Sequence, residues 1–134
     1  SKLVSLLTLV ILGSLQNQLA EADTDLLTFK FGTKTVSFND FDEPNILISS
    51  NCVKSKKPAS CQAFEGFQKS RTSLLTASER ADGSIELGAL ICPRVGGQVK
   101  SGMNLVGNSN TFCLFKDGTY VSVGSLWAYA LKML

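Results

Sequence analysis

The sequence predicts a small α+β domain, in which an antiparallel sheet of hairpins carries two or three helices packed on one face and disulfides stabilise the fold. Three observations lead to this prediction. Apolar and polar residues alternate around two turn-like segments, one at Gly32 and one at Asp117-Gly118. Apolar residues recur at helical spacing after Ser122. The chain also contains four cysteines, which are typical of small exported domains.

Residues 1–22 have the organisation of a secretory signal peptide. The single early charge, Lys2, precedes an apolar run over 3–15, and alanine occupies both ends of the segment 20–22. The apolar run is shorter than the roughly 20 residues that cross a bilayer, although a buried helix or a retained anchor is the alternative. The sequence therefore predicts one mature domain over 23–134, which is periplasmic or secreted.

The segment 26–38 predicts the first hairpin. Its apolar residues alternate with polar ones on either side of a glycine turn, at Phe29, Phe31, Val36 and Phe38. The polar segment 39–45 predicts a break, and the apolar run 46–48 predicts a short buried strand. The following residues, 51–57, are polar and predict a loop.

Two helices are predicted in the middle of the chain. The first is expected to begin within 58–61, because proline is tolerated in a first turn, and to carry apolar residues at Ala63, Phe64 and Phe67. The stretch 68–80 has no clear pattern. The second helix is expected over 85–95, after a capping turn at 82–84 and before a stop at Gly96-Gly97. Pro93 predicts either a kink or a later start of this helix.

The last part of the chain predicts a second hairpin and a third helix. The glycine- and asparagine-rich segment 98–110 is expected to be at least partly loop, while 111–115 and 119–121 are expected to pair around the Asp-Gly turn. From Ser122, which could cap a helix as Ser125 also could, apolar residues share one helical face at Val123, Leu126, Trp127, Ala130, Leu131 and Leu134. Trp127 is expected in the core and Tyr129 on the other side of the helix.

Four cysteines in an exported chain predict two disulfides. Cys52, Cys61, Cys92 and Cys113 allow three connectivities. Pairing between cysteines that are close in sequence is the simplest, because a 52–61 bond would close a loop and a 92–113 bond would join a helix to a strand. Free thiols are an alternative. A zinc site is disfavoured because the chain lacks histidine and lacks closely spaced cysteine pairs.

The C-terminal third, 89–134, contains an ordered set of motifs. These are a cysteine before a glycine pair (Cys92, Gly96-Gly97), a second cysteine before an Asp-Gly turn (Cys113, Asp117-Gly118), and Trp127-Ala128. The set resembles a family of small bacterial exported domains of unknown function that are often labelled haemolysins. The family usually has a further cysteine where Val121 and Ser122 stand here. The resemblance implies the same fold and a Cys92–Cys113 pair, and it implies no particular chemistry.

Composition argues against several classes of function. The net charge of +2 does not suggest a nucleic-acid-binding surface. The absence of histidine removes the commonest general base, and paired cysteines cannot act as nucleophiles. We therefore expect a protein that is not an enzyme and has no catalytic residue, metal or cofactor. Asp40, Asp42 and Glu43 could offer oxygen ligands to Ca²⁺, but they lack the spacing of an EF-hand and are interpreted as a solvated turn.

Lys54, Lys56 and Lys57 form a basic loop beside Cys52 and are the candidate binding residues, with a plain solvated loop as the alternative. We expect an exported, monomeric, non-enzymatic binding or interaction module whose partner is an exported protein or a cell-envelope component, without stable insertion into a membrane once the signal peptide is removed. An inhibitor of an exported hydrolase is the second hypothesis. A carboxylate-dependent hydrolase is the third.

Overall fold

Six antiparallel strands close into a barrel in the computed structural model of the chain, which describes residues 25–72 and 87–132. In chain order the elements that build the barrel are β1 (Asp25–Phe31), β2 (Lys34–Phe41), β3 (Ile46–Ser49), β6 (Gln98–Met103), β7 (Ser109–Leu114) and β8 (Tyr120–Ser122). Around the barrel the order is β1, β2, β3, β8, β7, β6. A separate two-stranded hairpin consists of β4 (Val53–Lys54) and β5 (Lys57–Pro58).

Three helices are described besides the strands. They are α1 (Gln62–Ser70), α2 (Leu87–Arg94) and α3 (Val123–Leu131), and a short 3₁₀ turn, Ser50–Cys52, links β3 to the small hairpin. The predicted signal peptide, 1–22, and the predicted start of the second helix, 82–86, lie outside the described residues.

Aromatic side chains fill the interior of the barrel. The ring of Phe29 on β1 lies 4.8 Å from that of Phe112 on β7, and Phe31 stacks on Tyr120 of β8 at 4.6 Å. Because β1 is adjacent to neither β7 nor β8 in the sheet, these rings meet across the interior. Phe38 of β2 lies 4.7 Å from Phe112 and completes the cluster. Such ring pairs stabilise a core beyond the area that they bury.

The opposite face of the strands packs against the helices. Because side chains alternate along a strand, residues next to the aromatic ones point outwards and join a second core with residues of all three helices. Its buried members include Ile46, Ile48, Phe67, Ile91, Val121 and Leu126. One layer of strands therefore separates two hydrophobic cores.

The α+β class with disulfides is confirmed, but the expected antiparallel sheet of hairpins is wrong, because the strands close into a barrel. The difference arises within 98–110, where the sequence predicts loop and the structure has β6. This strand lacks the usual alternation because its one buried position is a glycine, Gly102. A Cβ there would lie 2.7 Å from the ring of Phe31 and 3.1 Å from that of Phe112. The missing side chain is therefore what admits the aromatic rings.

Two predicted boundaries are also corrected. β2 continues to Phe41, which is buried in the outer core, so the break begins at Asp42 and not at Asn39. The first helix begins at Gln62 and not within 58–61, because Pro58 belongs to β5 and Cys61 is the N-cap.

The predicted end of the second helix is confirmed. Gly96 has a φ of +95°, a conformation that glycine adopts without steric cost. Its N–H donates to the Pro93 carbonyl at 3.3 Å, and the N–H of Gly97 donates to the Cys92 carbonyl at 3.0 Å. These two hydrogen bonds define a Schellman motif. Pro93 itself lies in the last turn of α2.

The second hairpin and the third helix are confirmed as well. Gly118 has a φ of +82° and its N–H donates to the Phe115 carbonyl at 3.0 Å, which closes the predicted turn. Ser122 caps α3, since its Oγ accepts a hydrogen bond from the Ser125 N–H at 3.0 Å. Trp127 packs against the outer core as predicted. The sequence predicts Tyr129 on the other side of the helix, but the residue packs against the same core and stacks on Phe67 at 4.3 Å.

Both disulfides join residues that are close in sequence. Cys52 pairs with Cys61, and Cys92 on α2 pairs with Cys113 on β7, which is the simplest of the three connectivities. Each bond stabilises a small domain by roughly 2–4 kcal/mol. Because disulfides persist in oxidising compartments, the two bonds indicate an environment outside the cytoplasm.

Replacing Gly102 by alanine tests how closely the barrel is packed. We expect Gly102→Ala to lower the free energy of unfolding by roughly 1–3 kcal/mol, because the added methyl group must displace the rings of Phe31 and Phe112. Urea denaturation followed by tyrosine and tryptophan fluorescence measures the change. Ser101→Ala, at the neighbouring exposed position, is the matched control and should leave the midpoint nearly unchanged. Equal midpoints for the two variants would contradict the packing account.

Candidate functional site

The predicted lysine loop is an ordered hairpin. β4 and β5 pair Val53 with Pro58 and Lys54 with Lys57, which leaves a two-residue turn at Ser55 and Lys56. Both turn residues have positive φ, 52° and 63°, as a type I′ turn requires. Residues 54–57 are all exposed. The structure therefore brings the three candidate lysines together on one projecting hairpin.

The base of this hairpin is fixed in two ways. The Cys52–Cys61 disulfide joins the residues that flank the two strands, and the Ala59 N–H donates to the Cys52 carbonyl at 2.6 Å. Cys52 is buried in the outer core, where Val53 also packs. The base is thus anchored in the domain while the tip stays exposed.

Cys61 also connects the hairpin to α1. Its Sγ accepts a hydrogen bond from the Phe64 N–H at 3.2 Å, so one sulfur atom belongs both to the disulfide and to the helix cap. The first N–H groups of a helix have no partner within the helix. The cap therefore satisfies one of them and sets the direction in which α1 leaves the hairpin.

The Asp-Gly turn between β7 and β8 satisfies two further N–H groups of α1. Asp117 Oδ2 accepts from the Gln62 N–H at 2.8 Å, and Thr119 Oγ1 accepts from the Ala63 N–H at 3.0 Å. In return Gln62 Oε1 accepts from the Asp117 N–H at 2.8 Å. A capping interaction between segments so far apart in sequence gives no local signal, which is why the sequence did not predict it. It holds the base of the lysine hairpin against the barrel.

The same hydrogen bonds shift the ionisation of Asp117. Partial burial acts to raise the pKa of its carboxyl group, but hydrogen bonds from the Thr119 side chain and from backbone N–H groups, including that of Gln62, outweigh this effect and hold the pKa below its ordinary value. The ionised form of Asp117 is thus the form that holds the helix end.

Carboxylates lie close together where β1 begins and β2 ends. Asp25 lies opposite Asp40 in the strand register, and strand alternation places both on the face of the sheet that carries Phe29 and Phe38. Burial, followed by the negative charges of Asp25 and Asp42, raises the pKa of Asp40. Asp42 and Glu43 are exposed in the turn that follows β2, in agreement with their interpretation as a solvated turn.

An apolar groove lies beside the first half of β1. It has a volume of about 390 Å³ and is lined by Leu26, Leu27, Thr28, Phe29, Asn104, Leu105, Val106 and Asn110. Leu26, Leu105 and Val106 are 70%, 82% and 81% exposed. This surface was not predicted from the sequence. The signal that could have indicated it is a pair of large apolar residues between Asn104 and Gly107, inside a loop that is otherwise polar.

Within 25–72 and 87–132, no group of three or more cysteine, aspartate and glutamate side chains is arranged to hold a metal ion. None of the helices in this part of the chain is long and apolar enough to cross a membrane.

Comparisons with protein-family models, with curated proteins and with solved structures found no match to the chain. The resemblance to the haemolysin-labelled family stays a prediction.

Removing the Asp117 carboxylate tests its role at the helix end. We expect Asp117→Ala to lower the free energy of unfolding at neutral pH by roughly 0.5–2 kcal/mol, as the loss of an N-cap does. Because the folded-state pKa of Asp117 is lowered, its contribution is fully present well above the unfolded-state pKa and is lost as the pH falls through the lower folded-state value. Denaturant titrations over this pH range should show the wild type and the variant converging in acid. Lys116→Ala in the same turn is the control, and a pH-independent difference would contradict the assignment.

Proposed function

We propose that the protein is an exported, non-enzymatic binding module that inserts its lysine hairpin, residues 52–61, into an acidic cleft of another exported protein. One observation carries the proposal: three lysines project from a two-stranded hairpin that a disulfide closes at its base. A hairpin that is already ordered loses little conformational entropy when it binds, and this favours affinity.

The turn of the hairpin adopts a conformation that is unusual for its residues. Type I′ turns favour asparagine and glycine, because both central residues need positive φ. Here Ser55 and Lys56 occupy these positions. Residues other than glycine adopt the left-handed region at a cost of about 1 kcal/mol or more, and such residues concentrate at functional sites. The cost supports a binding role in which Lys56 must be at the tip.

The charges of the hairpin also support an anionic partner. Lys54 and Lys57 lie directly opposite each other, and like charges at such positions destabilise a strand pair. A carboxylate placed between them would replace this repulsion by two ion pairs. The partner surface would therefore be acidic, and its binding would weaken as the salt concentration rises.

Inhibition of an exported hydrolase is the second candidate function. Its support is the shape of the hairpin, which is a single ordered projection closed at its base by the Cys52–Cys61 disulfide. Such a projection is suited to block a cleft. Both functions use the same surface and differ only in what the partner does. A periplasmic or secreted location, with the predicted signal peptide removed, is part of both.

Cross-linking can identify the partner. A photo-reactive amino acid replaces the exposed Ser60 beside the hairpin, and a second protein carries it at the exposed Ser101 on β6 as a control. We expect a discrete adduct from position 60 and none from position 101 in the exported fraction of the source cells. Purification of the adduct then shows whether the partner is a hydrolase whose activity falls on binding.

The lysine charges are tested against the purified partner. We expect Lys54→Gln/Lys57→Gln to weaken binding about tenfold, which corresponds to about 1.4 kcal/mol for two ion pairs. Lys30→Gln/Lys116→Gln removes two exposed charges elsewhere and should bind like the wild type. An equal loss for both pairs of substitutions, or no adduct from position 60, would refute the proposal.

Export is tested by the intact mass of the native protein before and after reduction. We expect a chain that starts at Asp23 and gains four hydrogens on reduction, two for each disulfide. A chain that retains residues 1–22, with all four thiols free to react before reduction, would place the protein in a different compartment.

A further inference from the structure

We propose that the apolar groove beside β1 binds an extended, basic segment of a partner protein, which adds to the barrel as a further antiparallel strand. This surface is distinct from the lysine hairpin and requires no part of it. Three features of the described residues lead to the proposal: an open strand edge, an ordered apolar wall and a local excess of negative charge.

The open edge is the first half of β1. This strand pairs with β2 along its whole length, from Asp25 to Phe31. On its other side, the pairing with β6 consists of Lys30 with Met103 alone. Among residues 25–72 and 87–132, the backbone of 25–29 therefore pairs with a strand on one side only. Extended peptides bind to such edges by main-chain hydrogen bonds, with pockets for alternate side chains.

The side of the groove opposite β1 is formed by an ordered loop between β6 and β7. The Asn104 side-chain oxygen accepts from the N–H groups of Val106 and Asn108, at 3.1 and 2.9 Å. The N–H of Asn104 also donates to the Asn108 carbonyl at 2.9 Å. The backbone bonds of the loop are thus made within the loop and not to β1, while Leu105 and Val106 are held in an exposed position. Apolar residues exposed together in this way mark binding surfaces.

Charge determines the kind of partner. Asp25 and Asp40 lie opposite each other where β1 begins, beside the groove residues Leu26 and Leu27. Burial and, after it, the negative charges of Asp25 and Asp42 raise the pKa of Asp40, so a third carboxylate also lies close to this point. An arginine or lysine side chain would neutralise it. An anionic membrane would instead be repelled, so the apolar residues fit a basic peptide better than a lipid surface.

The probe is a short peptide with blocked ends, in which valine and threonine alternate and arginine stands at the C-terminal end. Antiparallel addition places that arginine next to Asp25. In NMR titrations of the isotope-labelled protein, we expect the amide signals of residues 26–29 and 104–108 to shift. A peptide with glutamate in place of arginine should bind about tenfold more weakly, and one with proline at its centre should not bind, because proline removes a strand hydrogen bond.

Variants of the protein test the apolar side of the groove and the negative charge beside β1 separately. We expect Leu105→Ser/Val106→Ser to weaken peptide binding at least tenfold, since burial of such side chains contributes most of the affinity of apolar contacts. Both residues are exposed, so the thermal unfolding midpoint should not change. Leu131→Ser, which alters an exposed leucine on α3, is the control and should bind normally. Asp25→Asn should reduce the preference for the arginine peptide over the glutamate peptide.

Four results would overturn the proposal. The first is the absence of amide shifts in the groove, and the second is equal binding of the arginine and glutamate peptides. The third is a concentration-dependent dimer in sedimentation that Leu105→Ser/Val106→Ser abolishes, which would make a second copy the occupant. The fourth is a lowered unfolding midpoint in this variant without peptide binding to the wild type, which would point to the chain's own residues 1–24. None of these results depends on the lysine hairpin.

Discussion

The aromatic packing inside the barrel depends on one residue that contributes no side chain. Phe31 and Phe112 occupy the space that a Cβ at Gly102 would need, so any larger residue at this position of β6 would force the two rings to move. A second glycine has the same role outside the barrel. A Cβ at Gly97 would contact the sulfur atoms of Cys92 and Cys113, so the glycine that follows α2 is also what lets the helix approach the strand closely enough for the disulfide. Both closures depend on glycine where a core would ordinarily have an apolar side chain.

Closure of the barrel also explains where the two candidate surfaces lie. The lysine hairpin emerges where the disulfide and the adjacent start of α1 meet the Asp-Gly turn, which is 55 residues away in sequence. Because Asp117 and Thr119 accept hydrogen bonds from the first residues of α1, the base of the hairpin is attached to β7 and β8 as well as to its own sequence neighbours.

The groove, in contrast, lies where the strand pairing is incomplete. It lies at the seam between β1 and β6, where the barrel is closed by the pair Lys30 and Met103. One surface is therefore reinforced by the fold, and the other is a place where the strand pairing of the fold is incomplete.

The sequence predicted those elements whose signal is local. The alternation of Phe29, Phe31 and Phe38, the Asp-Gly turn and the glycine pair after α2 all act over a few residues, and each was predicted correctly. The closure of the barrel was missed because β6 exposes most of its residues and buries a glycine, so the strand carries no alternating pattern. Of the candidate site, the sequence indicated the lysines and the cysteines but not their arrangement. The type I′ turn was not predicted, because Ser55 and Lys56 are not residues that favour it. The groove depends on Leu26 and Leu105, which are far apart in sequence and come together only in the folded chain.

The two sulfur atoms of the Cys52–Cys61 bond have unequal roles, and this has a consequence for how the domain can diverge. Cys52 is 1% exposed and belongs to the outer core, whereas Cys61 caps α1 through its contact with the Phe64 N–H. A descendant that lost the bond would keep both roles with a small apolar residue at 52 and serine, threonine, aspartate or asparagine at 61. The reverse exchange would bury an unsatisfied polar group and leave the helix end uncapped. Loss of the disulfide during evolution would therefore leave an asymmetric trace, and a distant homologue could be recognised by that trace where the cysteine pattern itself has disappeared.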